Sequence, residues 1–266
     1  MLVDSHAHLD FDGLRADIDQ VLERARDAGV ERILTIGCLK ADGSDNEAFI
    51  LRLIEEESGI MAAFGVHPHD ADHWSGDMES RLLGLLNHPR VVALGEIGLD
   101  YYYDNAPREA QRKAFRDQIR MAQAVDKPII VHSRDADEET CEILRAAYGQ
   151  SGQENPGVLH CFTGGQDMAG ECVRIGFYIG VGGIFTFKKS EALRKTIEEV
   201  PFERLLLETD SPFLAPEPYR GKRNEPAYVR IIAECLAQAR ECTLAEVGRQ
   251  TSVNFDRLFR ITPSRA

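Results

Sequence analysis

Apolar positions along this chain come in two kinds of run. Short, nearly continuous stretches fall near 2–6, 32–37, 60–66, 91–96, 128–132, 157–161, 177–182 and 204–209. Runs of that length predict buried strands. Between them, apolar residues recur three or four apart, as in Leu14, Ile18, Val21, Leu22 and Ala25, a pattern closed by Gly29. A second helical stretch is predicted from Pro107 to Val125, with Pro107 suited to a first turn and Glu109 favouring the N-terminal dipole. Eight strand–helix units with no internal repeat, low-complexity tract or Gly/Ser linker predict one domain over 1–266. The expected fold is α/β, a TIM-type (β/α)8 barrel. An open doubly wound sheet is the alternative, but no Gly-rich phosphate loop follows the first strand.

In such barrels chemistry gathers at the C-terminal ends of the strands. His6 and His8 stand there after the first run, two residues apart, so that on a strand both imidazoles project to one face. Two neutral imidazoles side by side form half of a divalent-metal site. Later strand ends carry His67 and His69, then Glu96, His132, His160 and Asp210. Seven of the eight histidines lie in or just beyond these loops, only His88 elsewhere. Structural histidines would not segregate in this way. Each position also has an ordinary reading: a carboxylate after a strand can be a helix N-cap, and Asp100 is a better cap candidate than Glu96, which has Gly95 and Gly98 close by. His73 and His88 are expected at the surface. His67 and His69, around Pro68, are expected either to orient a substrate or to be structural.

Composition changes the picture in three ways. The six cysteines are scattered without a Cys-x-x-Cys or disulfide-type spacing, and read as reduced thiols. No apolar run approaches a membrane span, and Met1-Leu2-Val3-Asp4 enters a strand with no signal-like segment, so the expected compartment is the cytoplasm. The net charge of −13 argues against a sequence-independent grip on a polyanion. It leaves room for a nuclease whose site is locally positive, where bound divalent cations could be extended by Lys188, Lys189, Arg220, Lys222 and Arg223. The simpler reading of those five is solvated loop charge.

The strand-end segments also resemble a known family. Asp4-Ser5-His6-Ala7-His8-Leu9-Asp10, Gly65-Val66-His67-Pro68-His69, Gly95-Glu96-Ile97-Gly98-Leu99-Asp100-Tyr101-Tyr102 and His132-Ser133-Arg134-Asp135-Ala136 are similar to motifs of the TatD metal-dependent deoxyribonucleases. So are His160-Cys161-Phe162-Thr163-Gly164, Glu208-Thr209-Asp210-Ser211-Pro212-Phe213-Leu214 and Arg223-Asn224-Glu225-Pro226. The seven occur in family order, from residue 4 to about 260. The resemblance implies an amidohydrolase-like barrel with two adjacent divalent metals. His6, His8 and Asp210 would hold one, His132 and His160 the other, and Glu96 would bridge them.

The implied reaction is phosphodiester hydrolysis by water activated on the metals. Asp210 is the expected acceptor of the water proton, with Glu96 as its catalytic companion. Glu208 is expected to support the ligands from behind, and Asp4 to point into the barrel and orient His8. Substrate contacts are expected from His67, from Arg134 and Arg223 on phosphate oxygens, and from Tyr101, Tyr102 and Tyr103 by stacking or by plugging the barrel rim. Stacking needs unpaired bases, which favours a 3′–5′ exonuclease on single-stranded or frayed DNA over a duplex endonuclease. Mg²⁺ or Mn²⁺ is expected in action, with Zn²⁺ also suited to imidazole ligands. No obligate protein partner is expected.

Rival readings remain at this stage. A binuclear amidohydrolase or ester hydrolase acting on a small molecule would often use a carboxylated lysine on the fourth strand, where this chain has Glu96. A phosphoesterase of the polymerase-and-histidinol-phosphatase type also begins with His-x-His. A hydrolase of aminoacyl-tRNA esters is a variant among the wider relatives, and a metal-binding docking protein without catalysis belongs to another class.

Overall fold

The computed structural model describes residues 1–41 and 46–261; the expected domain over 1–266 also takes in 42–45 and 262–266, which lie outside them. Eight parallel strands form a single sheet in strictly sequential order. They are β1 (Leu2–Ala7), β2 (Val30–Cys38), β3 (Ile60–Gly65), β4 (Val91–Asp100), β5 (Ile129–Arg134), β6 (Gly157–Leu159), β7 (Tyr178–Val181) and β8 (Leu205–Leu207). The helices around them are α1 (Asp12–Arg15), α2 (Ile18–Asp27), α3 (Asn46–Glu56), α4 (Gly76–Leu86) and α5 (Arg108–Ala124), followed by α6 (Asp137–Tyr148), α7 (Gln166–Arg174), α8 (Glu191–Glu199), α9 (Val229–Ala239) and α10 (Leu244–Phe259). No described helix is long and apolar enough to cross a membrane.

The sheet curls into a nearly closed barrel. Its seam is joined by Asp210 N–H donating to His6 O at 2.9 Å, by His8 N–H donating to Ser211 O at 2.8 Å, and by a bridge between Ala7 and Ser211. Inside, each strand contributes to one apolar cluster, including Val3, Leu34, Met61, Ala93, Ile130, Val158, Tyr178 and Leu206. Phe255, Leu258 and Phe259 of α10 join that cluster and plug the N-terminal end. A larger apolar layer packs strands against the surrounding helices.

Two elements differ from the sequence expectation. The first helical pattern breaks into α1 and α2 around Ala16 and Asp17. The fourth strand runs on to Asp100 rather than stopping at Glu96. Gly95 and Gly98 sit inside β4, where a Cβ at either would collide with β5: with Ile130 in one case and the His132 carbonyl in the other. They permit close strand approach rather than ending the strand.

Candidate metal centre

The ligand candidates converge on one spot at the mouth. β1 delivers His6 at its end and His8 just beyond, and their Nε2 atoms face each other at 3.3 Å. Across the seam, Asp210 follows β8 with a left-handed φ of 57°, a conformation aspartate tolerates, and its Oδ1 lies 3.7 Å from His6 Nε2 and 3.5 Å from His8 Nε2. Glu96 of β4 is buried, and its two carboxylate oxygens serve different neighbours. Oε2 is 3.4 Å from His6 Nε2 and 3.6 Å from His8 Nε2. Oε1 is 2.8 Å from His132 Nδ1, 2.7 Å from His160 Nε2 and 3.4 Å from His67 Nε2.

These spacings test whether metal ions fit. Four donors held about 2.0–2.1 Å from a tetrahedral ion stand about 3.3–3.4 Å apart. The Oε2 group (His6, His8, Glu96, Asp210) approaches that condition at 3.3–3.7 Å. Two imidazole nitrogens facing at 3.3 Å also need a shared proton or cation between them. On the Oε1 side, His132 and His160 contact the carboxylate at hydrogen-bond length, 2.8 and 2.7 Å. Sets of three donors suited to an ion occur as His6–His8–Glu96, His67–Glu96–His132 and His6–His160–Glu208. The residues fit the group the sequence implies.

Electrostatics divides the imidazoles. Burial, reinforced by neighbouring imidazoles, pushes His6 down to about 4, and at His67 burial, with His132 and His69 adding to it, outweighs Glu96 and gives about 4 as well. Burial likewise opposes charge on His132, but hydrogen bonds to Asp100 and Glu96 overcome it and hold the group up at about 9. His8 and His160 are raised against the same desolvation, by Asp210 and Glu96 respectively. Burial would raise Glu96, yet the charges of His160 and His67 draw it well below the carboxylate range. Behind the cluster, burial lifts Glu208 to about 8 and Asp4 to about 7.

Some of the expected residues reach the cluster and others do not. Asp4 does not reach His8. Its carboxylate accepts from Thr209 N–H at 2.9 Å, from the Thr209 hydroxyl at 2.6 Å and from His6 N–H at 3.3 Å. The register of β1 against β2 shifts twice, at Leu2/Val3 and between Asp4 and Ala7, so simple alternation fails there. Glu208 lies behind His160, accepting from Cys161 N–H, with Oε1 3.8 Å from His160 Nδ1. Arg223 is held by Asp17 through both guanidinium arms, at 2.9 and 3.1 Å. Tyr101 turns away from the mouth, donating to Glu139 beneath the Arg108 guanidinium, whereas Tyr102 and Tyr103 are exposed. Arg134 covers those two rings, 4.3 and 4.9 Å from their centroids. Lys188, Lys189, Arg220 and Lys222 are exposed, His73 is exposed, and His88 is half-buried outside the cluster.

Other contributors were not legible in the sequence. Asp100 Oδ2 lies 3.0 Å from both His69 Nε2 and His132 Nε2, while Oδ1 accepts from Tyr102 and Tyr103 N–H. It caps a turn, not a helix, and fixes which nitrogen of His132 faces Glu96. Its strand parity with Glu96 was the available signal, hidden by ending the strand at residue 96. Asn224 is buried and donates to Thr209 O and Phe213 O, bracing the loop that carries Asp210.

Two buried glutamines on the inner face of α5 clamp the strand ends. Gln118 accepts from Val66 N–H at 2.8 Å and donates to Val66 O at 3.1 Å; Gln111 does the same for Asp100, at 2.8 and 3.2 Å. Each amide satisfies buried peptide groups that have no strand partner on that side. Gln118→Ala leaves both Val66 groups bare next to His67. The expected loss is about 1–3 kcal/mol, read from urea melts of the metal-free protein. An unchanged midpoint would contradict the clamp.

With this geometry in place, similarity to known proteins becomes informative. A family model described as TatD related DNase matches residues 3–260. An uncharacterized metal-dependent hydrolase, YabD of Bacillus subtilis, is 42% identical over 261 residues, covering 98% of this chain and 100% of the relative. The 3′-5′ ssDNA/RNA exonuclease TatD of Klebsiella pneumoniae is 35% identical over 251 residues, covering 92% of each. The crystal structure of YjjV, a TatD homologue from Escherichia coli, superposes with a TM-score of 0.90 at 30% identity over 98% of both chains.

Proposed function

Since this chain belongs to the TatD family and is a metal-dependent hydrolase, we propose that its substrate is nucleic acid and that it acts as a 3′–5′ exonuclease on single-stranded or frayed DNA. The observation that carries this reading is Glu96, one buried carboxylate whose two oxygens each face a separate set of imidazoles at the barrel mouth. His6, His8 and Asp210 would hold one divalent ion with Glu96, and His132 and His160 the other. His67, also at Oε1, stands close enough to join either the second ion or a substrate oxygen. Such ions, when bound, supply charge stabilisation at phosphorus and lower the pKa of water.

The chain's own groups do the rest. As the water oxygen attaches to phosphorus and the bond from phosphorus to the 3′ oxygen of the remaining strand breaks, Asp210 takes the water's proton and the leaving 3′ oxygen takes one from solvent. Its carboxyl is held below the usual range because, although burial works against it, His8 and the other imidazoles favour the anion. Arg134 has no ion pair among the described residues and projects from the end of β5, placed for a phosphate of the strand. Arg223 would first have to leave Asp17. All these groups come from one barrel, so one domain suffices. The six free thiols fit a reducing cytoplasm.

The test is a 5′-labelled single-stranded DNA oligonucleotide with Mg²⁺ or Mn²⁺. A ladder shortening from the 3′ end and abolished by chelator is expected. Metal-loaded protein that leaves both DNA and RNA intact would overturn the nuclease reading and favour a small-molecule amide or ester.

A pH dependence follows from the raised imidazoles. His132, with a pKa near 9 in the metal-free site, must give up its proton before it can bind a cation, and His8 and His160 are raised in the same direction. Protons therefore compete with metal throughout the range below about 9. Mn²⁺ affinity measured by competition with a chelating dye should rise from pH 6 towards 9, with proton release. A flat profile would show that these imidazoles do not ligate.

A further inference from the structure

We propose that two pairs of exposed aromatic side chains on opposite rims of the mouth are nucleobase subsites, so that a strand crosses the metal cluster with a base held on each side of the bond that is cut. This rests on the nuclease reading above and deepens it. In a ring of eight strands in sequential order, the β8/β1 seam lies opposite β4/β5. Phe11 follows β1 and Phe213 follows β8; their rings meet edge to face at 5.0 Å, and both lie near His8, at 6.2 and 5.9 Å between centroids. Tyr102 and Tyr103 follow β4, edge to face at 4.9 Å, with Tyr103 5.5 Å from His69.

Both pairs are half in water: Phe11 47% and Phe213 42% exposed, Tyr102 58% and Tyr103 54%. Yet their backbones are tied down. Phe213 N–H donates to Asp210 O and its carbonyl is held by Asn224; Phe11 N–H donates to His8 O; Tyr102 and Tyr103 N–H donate to Asp100. A rigid ring kept in water beside a catalytic cluster is a stacking surface whose ordering cost is already met. Imidazole contacts connect the pairs without a gap: His8–His6 at 5.0 Å, His6–His160 at 4.0 Å, His160–His132 at 5.6 Å and His132–His69 at 6.3 Å.

Among the described residues a guanidinium lies over one ring pair and not the other, which gives the strand a direction. Arg134 lies over the tyrosines without an ion pair among the described residues, free for the phosphate of a continuing strand. On the phenylalanine side, Arg223 is spent on Asp17 and the Gly13 carbonyl. The geometry therefore assigns the 3′-terminal base to Phe11 and Phe213, and the preceding base to Tyr102 and Tyr103.

Abasic oligonucleotides test the assignment. Three 5′-labelled single strands are compared for kcat/KM of the first bond broken: intact, abasic at the 3′-terminal nucleotide, and abasic at the one before it. In the wild type each missing base should cost about 5- to 150-fold, the size of one base–aromatic stack. Phe11→Ala/Phe213→Ala should lower the rate on the intact strand by a similar factor and abolish the penalty for the terminal abasic site, leaving the other penalty in place. Tyr102→Ala/Tyr103→Ala should show the reverse. Phe11→Leu/Phe213→Leu, which keeps most of the apolar volume and removes the rings, gives the same reading if the alanine pair fails to fold. Penalties that persist unchanged in the variants, or no penalty in a wild type that cleaves the intact strand, would overturn the subsites while leaving the nuclease standing. A wild type that cleaves none of the three would remove both.

Discussion

Glu96→Gln should lose about 10²–10⁴-fold in turnover and at least one bound metal. Glutamine keeps the shape but offers one acceptor oxygen where glutamate offers two, so whichever way the amide turns, one group of imidazoles meets an NH₂ instead. Five imidazoles approach this carboxylate within 3.6 Å. Removing one partner of a buried charged network costs about 3–5 kcal/mol, and about 1.4 kcal/mol is tenfold in rate. The measurement is single-turnover cleavage of labelled DNA alongside metal content, with circular dichroism confirming the fold. The same variant guards against contaminating nuclease: equal cleavage by variant and wild type would mean that the activity belongs to another protein.

The largest stability effect is expected at Gly98. It has φ of +147°, a region closed to other residues, and pairs in register with His132 across β4 and β5. A Cβ there would overlap the His132 carbonyl oxygen, in backbone that cannot swing aside. Gly98→Ala should cost more than about 3 kcal/mol or prevent folding, since strain and steric overlap act together. Gly29→Ala is the control. Gly29 also has positive φ, at +83°, but faces open space after α2, so only conformational strain applies, about 1–2 kcal/mol. Urea melts of the two metal-free variants separate overlap from strain; similar midpoints would contradict the close approach of β4 to β5.

The fold was legible because a barrel strand buried on both faces writes itself as an apolar run, and all eight runs overlap observed strands. The candidate ligands were legible for a related reason: polar residues at the ends of such runs have no place in the core. Legibility failed where local backbone departs from the regular period. Ending the fourth strand at Glu96 concealed Asp100, which lies on the same strand. Register shifts in β1 turned Asp4 towards Thr209 instead of His8. Partner choice failed too, because it depends on distant residues: nothing in the motif around Arg223 announces Asp17, nor does Tyr101 announce Glu139. Gln111 and Gln118 sit seven apart on the buried stripe of α5, a visible pattern whose meaning depends on strand-end peptides that have no strand partner on that side.

The central claim is that Glu96 is shared between two metal positions. Anomalous diffraction from a crystal grown with Mn²⁺ tests it directly. The account predicts two peaks flanking the carboxylate, one beside Oε2 with His6, His8 and Asp210, the other beside Oε1 with His132 and His160. A single peak remote from Glu96, in protein that still cleaves DNA, would contradict it.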